Sequence, residues 1–163
     1  MGNPNVFIRF ANNLYWSFIV HSCVSSIRRP FSAGVTSLLS DVYREHKLYS
    51  GSYDENMHSW DTRKMKQPLS TLGMGGGIWR IRQMSFQNEV PTSCSNLLAT
   101  ACMHGGFNLV DVDKYETVLN YAEHESLAYG IDFKSIRDSD GVILASCSFY
   151  DHALKIWKVS WKQ

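Results

Sequence analysis

A strand–turn–strand unit recurs along this chain, and that recurrence restricts the fold more than any single residue does. Leu48-Tyr-Ser-Gly-Ser-Tyr-Asp54 aligns with Leu98-Ala-Thr-Ala-Cys-Met-His104 and with Leu144-Ala-Ser-Cys-Ser-Phe-Tyr-Asp151. Each begins apolar, becomes small and hydroxylated, and ends in a polar turn. A second strand is predicted after each turn, over 56–61, 107–112 and 153–159. The step from Asp54 to His104 is 50 residues and that from His104 to Asp151 is 47, slightly more than the roughly 40–45 of one propeller blade. Segments 34–40, 78–86 and 128–134 precede these units and are read as innermost strands; 117–122 is read as an outer strand. Pro68 and the run Pro91-Thr-Ser-Cys-Ser95 fall between strands, where proline is tolerated, and 137–140 is a polar loop. No segment keeps a helical period.

The residues at the turns identify the kind of blade. Ser52, Asp54 and the Trp60-Asp61 pair have the spacing of a WD repeat, in which a strand serine, a turn aspartate and a strand tryptophan join a histidine from the preceding loop. The indole N–H is expected to donate to the hydroxyl while the carboxylate holds the imidazole. Burying these groups is tolerable only when each is satisfied. The last unit supplies His124, Ser148, Asp151 and Trp157, with Tyr150 as one extra turn residue. The middle unit has Cys102, His104 and Val110 at the equivalent positions, so it must rely on strand pairing and apolar packing. The structural role is the expected one for all seven network residues. A hydrolase triad of Ser148, His124 and Asp151 is disfavoured, since G-x-S-x-G is absent. The fold expected is all-β: a WD-repeat β-propeller fragment of about three antiparallel blades over 32–163, with 1–31 outside any blade.

The totals exclude several classes of partner. A formal net charge of +1 with scattered Lys and Arg makes no electrostatic case for nucleic acid or an anionic membrane. The four cysteines form no C-x-x-C pair and no zinc-type spacing, so reduced thiols in a cytoplasmic protein, without metal or cofactor, are expected. Apolar patches between Val6 and Val24 are broken by Arg9, Asn12, Asn13, Ser17, His21 and Ser22. No run approaches the ~20 residues of a membrane span, and the arginine lies inside the patch rather than before it, so neither a span nor a secretory leader is expected.

Six motifs run in a specific order: Gly51-Ser-Tyr-Asp-Glu55, Trp60-Asp-Thr-Arg-Lys-Met-Lys-Gln-Pro68, Gly75-Gly-Gly-Ile-Trp-Arg-Ile81, Ala101-Cys-Met-His-Gly-Gly-Phe107, His124-Glu-Ser-Leu-Ala-Tyr-Gly130 and Ser146-Cys-Ser-Phe-Tyr-Asp-His152. With Arg44-Glu45-His46 before them, they make the chain resemble the WD-repeat diphthine methyl ester hydrolases of diphthamide biosynthesis, also called diphthine methyltransferases. The resemblance implies a cytoplasmic enzyme that hydrolyses the methyl ester of methylated diphthine on elongation factor 2, with other diphthamide-pathway proteins as further partners. It also implies a complete propeller with blades upstream. The family's loop histidine falls here at about Phe31, and the match begins at about Ser32. Residues 1–31 are therefore expected to be a divergent start or the product of an incorrect gene model.

Propeller topology gathers the turns and the inter-blade connections on one face. That face is expected to carry Glu55, Gly75, Gly76, Gly77, Trp79, Arg80, Glu125 and Ser126, with His104 and His152 as the catalytic bases to consider. Ester hydrolysis needs an attacking oxygen, a base near neutral pKa and donors for the oxyanion. Amides at 75–77 are the expected donors, Arg80 an anion contact or a buried ion pair, and Cys102 a packing residue rather than a nucleophile. The rival reading is a non-catalytic WD-repeat scaffold. A third is a fragment whose open sheet edges favour aggregation and leave little activity.

Overall fold

The structure, a computed structural model, describes residues 26–84, 96–136 and 141–160 together with the backbone of 5–9 and 15–19. The expected loops at 91–95 and 137–140 lie outside the described residues. All described regular structure is β. Strands β1 (Asn5–Arg9) and β2 (Tyr15–Ile19) pair with each other. A first four-stranded sheet follows, of β3 (Val35–Ser40), β4 (Lys47–Ser52), β5 (Asn56–Asp61) and β6 (Ser70–Gly73). The middle sheet holds β7 (Arg80–Gln83), β8 (Leu97–Ala101), β9 (Phe107–Asp111) and β10 (Glu116–Tyr121). The third holds β11 (Ala128–Ser135), β12 (Gly141–Ser148) and β13 (Leu154–Ser160). Every pairing is antiparallel between consecutive strands, the arrangement of propeller blades.

Two elements differ from expectation. Strand β6 was not anticipated, because Ser-Thr-Leu-Gly is a short edge strand whose burial alternates only between half-buried and exposed. The inner strand of the middle sheet starts two residues later than expected, at Arg80. Ile78 and Trp79 instead donate their amides to Ser52 O (3.1 Å) and Ala101 O (2.9 Å), tying the connection to both sheets.

The middle sheet is buried on both faces, which explains why Leu97–Ala101 lacks a polar alternation. Leu98 and Cys102 pack with Tyr49, Met57, Ile78 and Ile81 against the first sheet. Leu97, Ala99 and Ala101 pack with Phe107, Ile131, Val142 and Leu144 against the third. Successive side chains thus serve two cores. The first strands of the sheets lie side by side, β3 on β7 and β7 on β11. The Thr36 hydroxyl lies against both Gly51 O and Ile78 O, and Ile81 N–H donates to Ser37 Oγ at 3.2 Å. On the far face of the third sheet, Leu154 and Ile156 are exposed.

Candidate functional site

The tryptophan-centred chain forms with different hydroxyls from those expected. Trp60 Nε1–H donates to Ser50 Oγ at 2.8 Å and Trp157 Nε1–H to Ser146 Oγ at 3.1 Å, not to Ser52 and Ser148. The cause is register. Trp60 pairs with Leu48 and Trp157 with Leu144, so each indole reaches its diagonal neighbour two residues along. Ser52 and Ser148 lie four residues along, about 13 Å at strand rise. In the third sheet the chain continues: Ser146 lies 2.8 Å from His124 Nε2, and His124 Nδ1 lies 2.5 Å from Ser148 Oγ. The Ser148 hydroxyl donates to Asp151, whose other oxygen is 3.8 Å from His124 Nδ1. Donors and acceptors run in one direction only if the imidazole is neutral with its proton on Nδ1.

In the first sheet no such histidine stands between Ser50 and Asp54. Phe31 packs its ring 5.8 Å from Trp60 and 5.2 Å from His58. Ser52 Oγ donates to Gly34 O and accepts the Asp54 amide, while the Asp54 carboxylate accepts the Ser32 amide at 2.8 Å. In the middle sheet Val110, opposite Leu98, is fully buried where the other sheets carry tryptophan.

Turns and connections alternate along one face. Glu55 O accepts the Met74 amide at 2.8 Å, and Met103 exchanges backbone hydrogen bonds with Ala128. The Tyr150 amide donates to Ser126 Oγ at 3.1 Å. Between the first two turns the contact is backbone on backbone. A Cβ on Gly76 would stand 2.6 Å from Gly105 N and nearer still to Cys102 O. A Cβ on Gly105 would meet Met74 O and, at 3.0 Å, Gly75 C. Gly105 is therefore a packing requirement. Gly106, at φ +72°, supplies the left-handed residue of the same turn.

Beside that turn, between the middle and third sheets, lies an open cavity of about 710 Å³. His104, Glu125 and Ser126 line it, together with Tyr121, Tyr150 and Asp151, and the buried His124 closes its floor beside Phe107. The other residues expected on this face lie outside the lining. His152 is exposed at φ +54° in the last turn, and Glu55 is exposed at φ +70° in the first turn. Gly76 and Gly77 are buried beneath the connection and Gly75 is exposed. Trp79 stacks on Tyr129 with centroids 5.1 Å apart. Arg80 is exposed, which removes the buried ion-pair reading. Cys102 is fully buried, and burial pushes its thiol up despite contacts from Thr100 and Asn108, as befits a packing residue. Tyr121, Ser50 and Ser146 were not singled out from the sequence, and Tyr150 stood out only as an extra turn residue. For the two serines the signal was present, as the hydroxyl two positions beyond the residue opposite each tryptophan. Among the described residues no three His, Cys, Asp or Glu side chains converge to hold a metal ion.

Electrostatics follow from burial. Burial, helped by the charge of Lys155, holds His124 below its ordinary 6.5, with Asp151 pulling the other way. Burial likewise lowers His58. Hydrogen bonds from the Ser148 hydroxyl and the Ala153 amide keep Asp151 ionised below the usual carboxylate range. Below pH 6.5 the unfolded chain therefore takes up protons that the folded chain refuses, so stability falls as pH falls. The thermal midpoint is expected to be lower at pH 5.5 than at pH 7.5, with part of the difference lost in His124→Gln. A midpoint indifferent to pH over that interval would contradict the assignment of neutral imidazoles.

No family model matches the chain. It resembles diphthine methyltransferases. It is 38% identical to the diphthine methyltransferase homolog of Dictyostelium discoideum over 76% of its length. It is 42% identical to the diphthine methyltransferase of Homo sapiens over 61% of its length, and 32% identical to that of Schizosaccharomyces pombe over 86%. The chain spans 35%, 22% and 42% of these relatives, respectively.

Proposed function

We propose that this chain is part of an enzyme of diphthamide biosynthesis, and that its reaction is hydrolysis of the methyl ester of methylated diphthine on elongation factor 2. The names of the relatives support the pathway and a step that handles a methyl group. The observation that carries the chemistry is the cavity in which His104 stands with Ser126 and Glu125. In this reading His104 takes a proton from the attacking water. The Ser126 hydroxyl, which already accepts the Tyr150 amide, keeps its own O–H free to donate to the carbonyl oxygen as charge develops there. Collapse of the tetrahedral intermediate returns the proton to the departing methoxide, releasing methanol and the free carboxylate.

The test places alanine at the position of His104 in a complete diphthine methyltransferase and measures methanol release from elongation factor 2 carrying methylated diphthine. A folded variant is expected to turn over about a hundredfold more slowly, the lower end for loss of a general base. Undiminished turnover would dismiss His104. The second reading is a non-catalytic binding platform in the cytoplasm. Phe149 and Tyr150 favour it, being 60% and 68% exposed on the last turn. Stable capture of the methylated factor with no methanol released would decide for the platform.

A further inference from the structure

His104 stands where the first and last turns carry an aspartate. In those turns the carboxylate braces its own loop: Asp54 accepts the Asn56 amide at 3.2 Å and Asp151 the Ala153 amide at 3.3 Å. The middle turn, 102–107, contains no carboxylate. It is held by its neighbours instead. Before His104, Met103 is tied to Ala128 of the third sheet by backbone bonds of 3.1 and 3.0 Å. After His104, the Gly105 amide donates to Cys102 O at 2.5 Å. Gly105 O accepts Asn120 Nδ2–H at 2.8 Å and Asn108 Nδ2–H at 3.3 Å. The other hydrogen of the Asn120 amide goes to Asn108 Oδ1 at 2.7 Å.

The two asparagines face each other across β9 and β10, Asn108 buried and Asn120 exposed. In the first sheet the same cross-strand position holds His58 and Thr71, which bond to each other at 2.9 Å. Strand pairing alone asks for no amide at an exposed edge position. Here its two donors go to a carbonyl of the turn and to the side chain that holds the same carbonyl. A carbonyl oxygen has two lone pairs, and the two amides fill both. His104 is exposed on the turn, so the direction in which it projects is set by the anchored residues on either side. We propose that Asn120, braced by Asn108, is a positioning residue that fixes the turn from which His104 enters the cavity. The proposal rests on the reading of His104 as the base, since its aim matters to turnover only if that imidazole takes the proton.

Amide order parameters from nitrogen-relaxation NMR read the turn without turnover. In the parent, His104, Gly105 and Gly106 are expected at about 0.85, the value of rigid backbone, and in Asn120→Asp below about 0.6. Aspartate keeps the shape but turns two oxygens toward Gly105 O and Asn108 Oδ1. Asn120→Asp should therefore loosen the turn more than Asn120→Ala does, whereas loss of packing alone would give the opposite order. The amides of Asp54 and Glu55 in the first turn are expected to stay as in the parent, and Thr117→Ala on the same strand to change nothing. Because Asn120 is exposed, the thermal midpoint should fall by no more than about 5 °C. In methanol release from the methylated factor, Asn120→Asp is expected to lower kcat about tenfold at unchanged KM. Added to His104→Ala, it should cost nothing further. An unchanged turn, equal loosening of the first turn, or a full further loss on top of His104→Ala overturns the proposal. If His104→Ala turns over undiminished, the esterase reading falls, and the order parameters still decide whether Asn120 holds the turn.

Discussion

Replacing Gly76 by alanine is expected to lower the thermal midpoint by roughly 10 °C, at an overpacking cost of about 3 kcal/mol or more. The added methyl would meet backbone on the opposing side, Gly105 N at 2.6 Å and Cys102 O nearer still, with His104 N at 3.0 Å. A flexible side chain would swing aside; these atoms are the backbone of a hydrogen-bonded turn. Gly105 N–H donates to Cys102 O, and Cys102 N–H to Gly106 O. Relief therefore requires prising the first sheet's connection away from the middle sheet's turn. The control is Gly34→Ala, where a Cβ meets nothing within 4 Å. Gly75→Asn separates clash from conformation, because Gly75 has φ +71° while its Cβ would meet only Gly105 Cα, at an ordinary contact distance of 3.8 Å, and asparagine tolerates that region. Its cost is expected to stay below about 1 kcal/mol. If Gly76→Ala melts with Gly34→Ala, the close approach is not what holds the two sheets in place.

Asp41→Ala is expected to cost about 3 kcal/mol, as loss of a buried, multiply bonded carboxylate does. Asp41 follows β3 and its side chain is fully buried. Its Oδ1 accepts Gln83 Nε2–H at 2.9 Å from the middle sheet and the amides of Tyr43 and Arg44. Its Oδ2 accepts the Tyr49 hydroxyl at 2.8 Å and Arg44 Nη1–H at 3.1 Å, and Arg44 reaches on to Asp113 at 2.5 Å. Removing the carboxylate strands donors from two sheets at once. Asp61, which binds the neighbouring Arg63 at the surface, offers the contrast. Asp61→Ala is expected to melt close to the parent, because a solvent-screened pair contributes little. Burial alone would raise the Asp41 pKa, but the bonds from Gln83, Tyr43, Tyr49 and Arg44 outweigh it and hold it at about 2. Because the folded value lies below the ordinary 3.8, this stability is fully present above that pH and is lost as pH falls toward 2. The shift is worth about 2 kcal/mol. Denaturant titrations at pH 6, 4 and 2.5 should show the slope in the parent and its loss in Asp41→Asn. A parent without that slope would remove Asp41 from the ties between sheets.

Much of this was legible from spacing. The recurrence of strand and turn locates the sheets because a period-2 backbone and a polar turn leave the same trace wherever they occur. Hence β4, β5, β8, β9 and β13 stand within a residue or two of their expected places, while β12 begins three residues earlier than expected, at Gly141. Strand β6 left no such trace, since it is four residues long and only Leu72 among them packs on a core. Asp41 is visible in sequence only as an aspartate two and three residues before the amides it accepts, a pattern also made by Asp111 at an exposed turn. Nothing local separates the buried hub from the surface turn, because the difference is Gln83, 42 residues away.

By itself the sequence determined that this chain is all-β, that its sheets are built from three repeats, and that the middle repeat lacks the tryptophan-centred chain of the third. Tertiary structure alone decided which serines receive the indoles, why glycine stands at 76 and 105, and that His104 shares a cavity with Glu125, Ser126, Tyr121 and Tyr150. Periodicity within a strand depends on neighbours along the chain and so survives as a pattern of letters. Cross-strand register, backbone contact between sheets, and the lining of a cavity depend on residues brought together from distant positions, and only the folded chain specifies those distances.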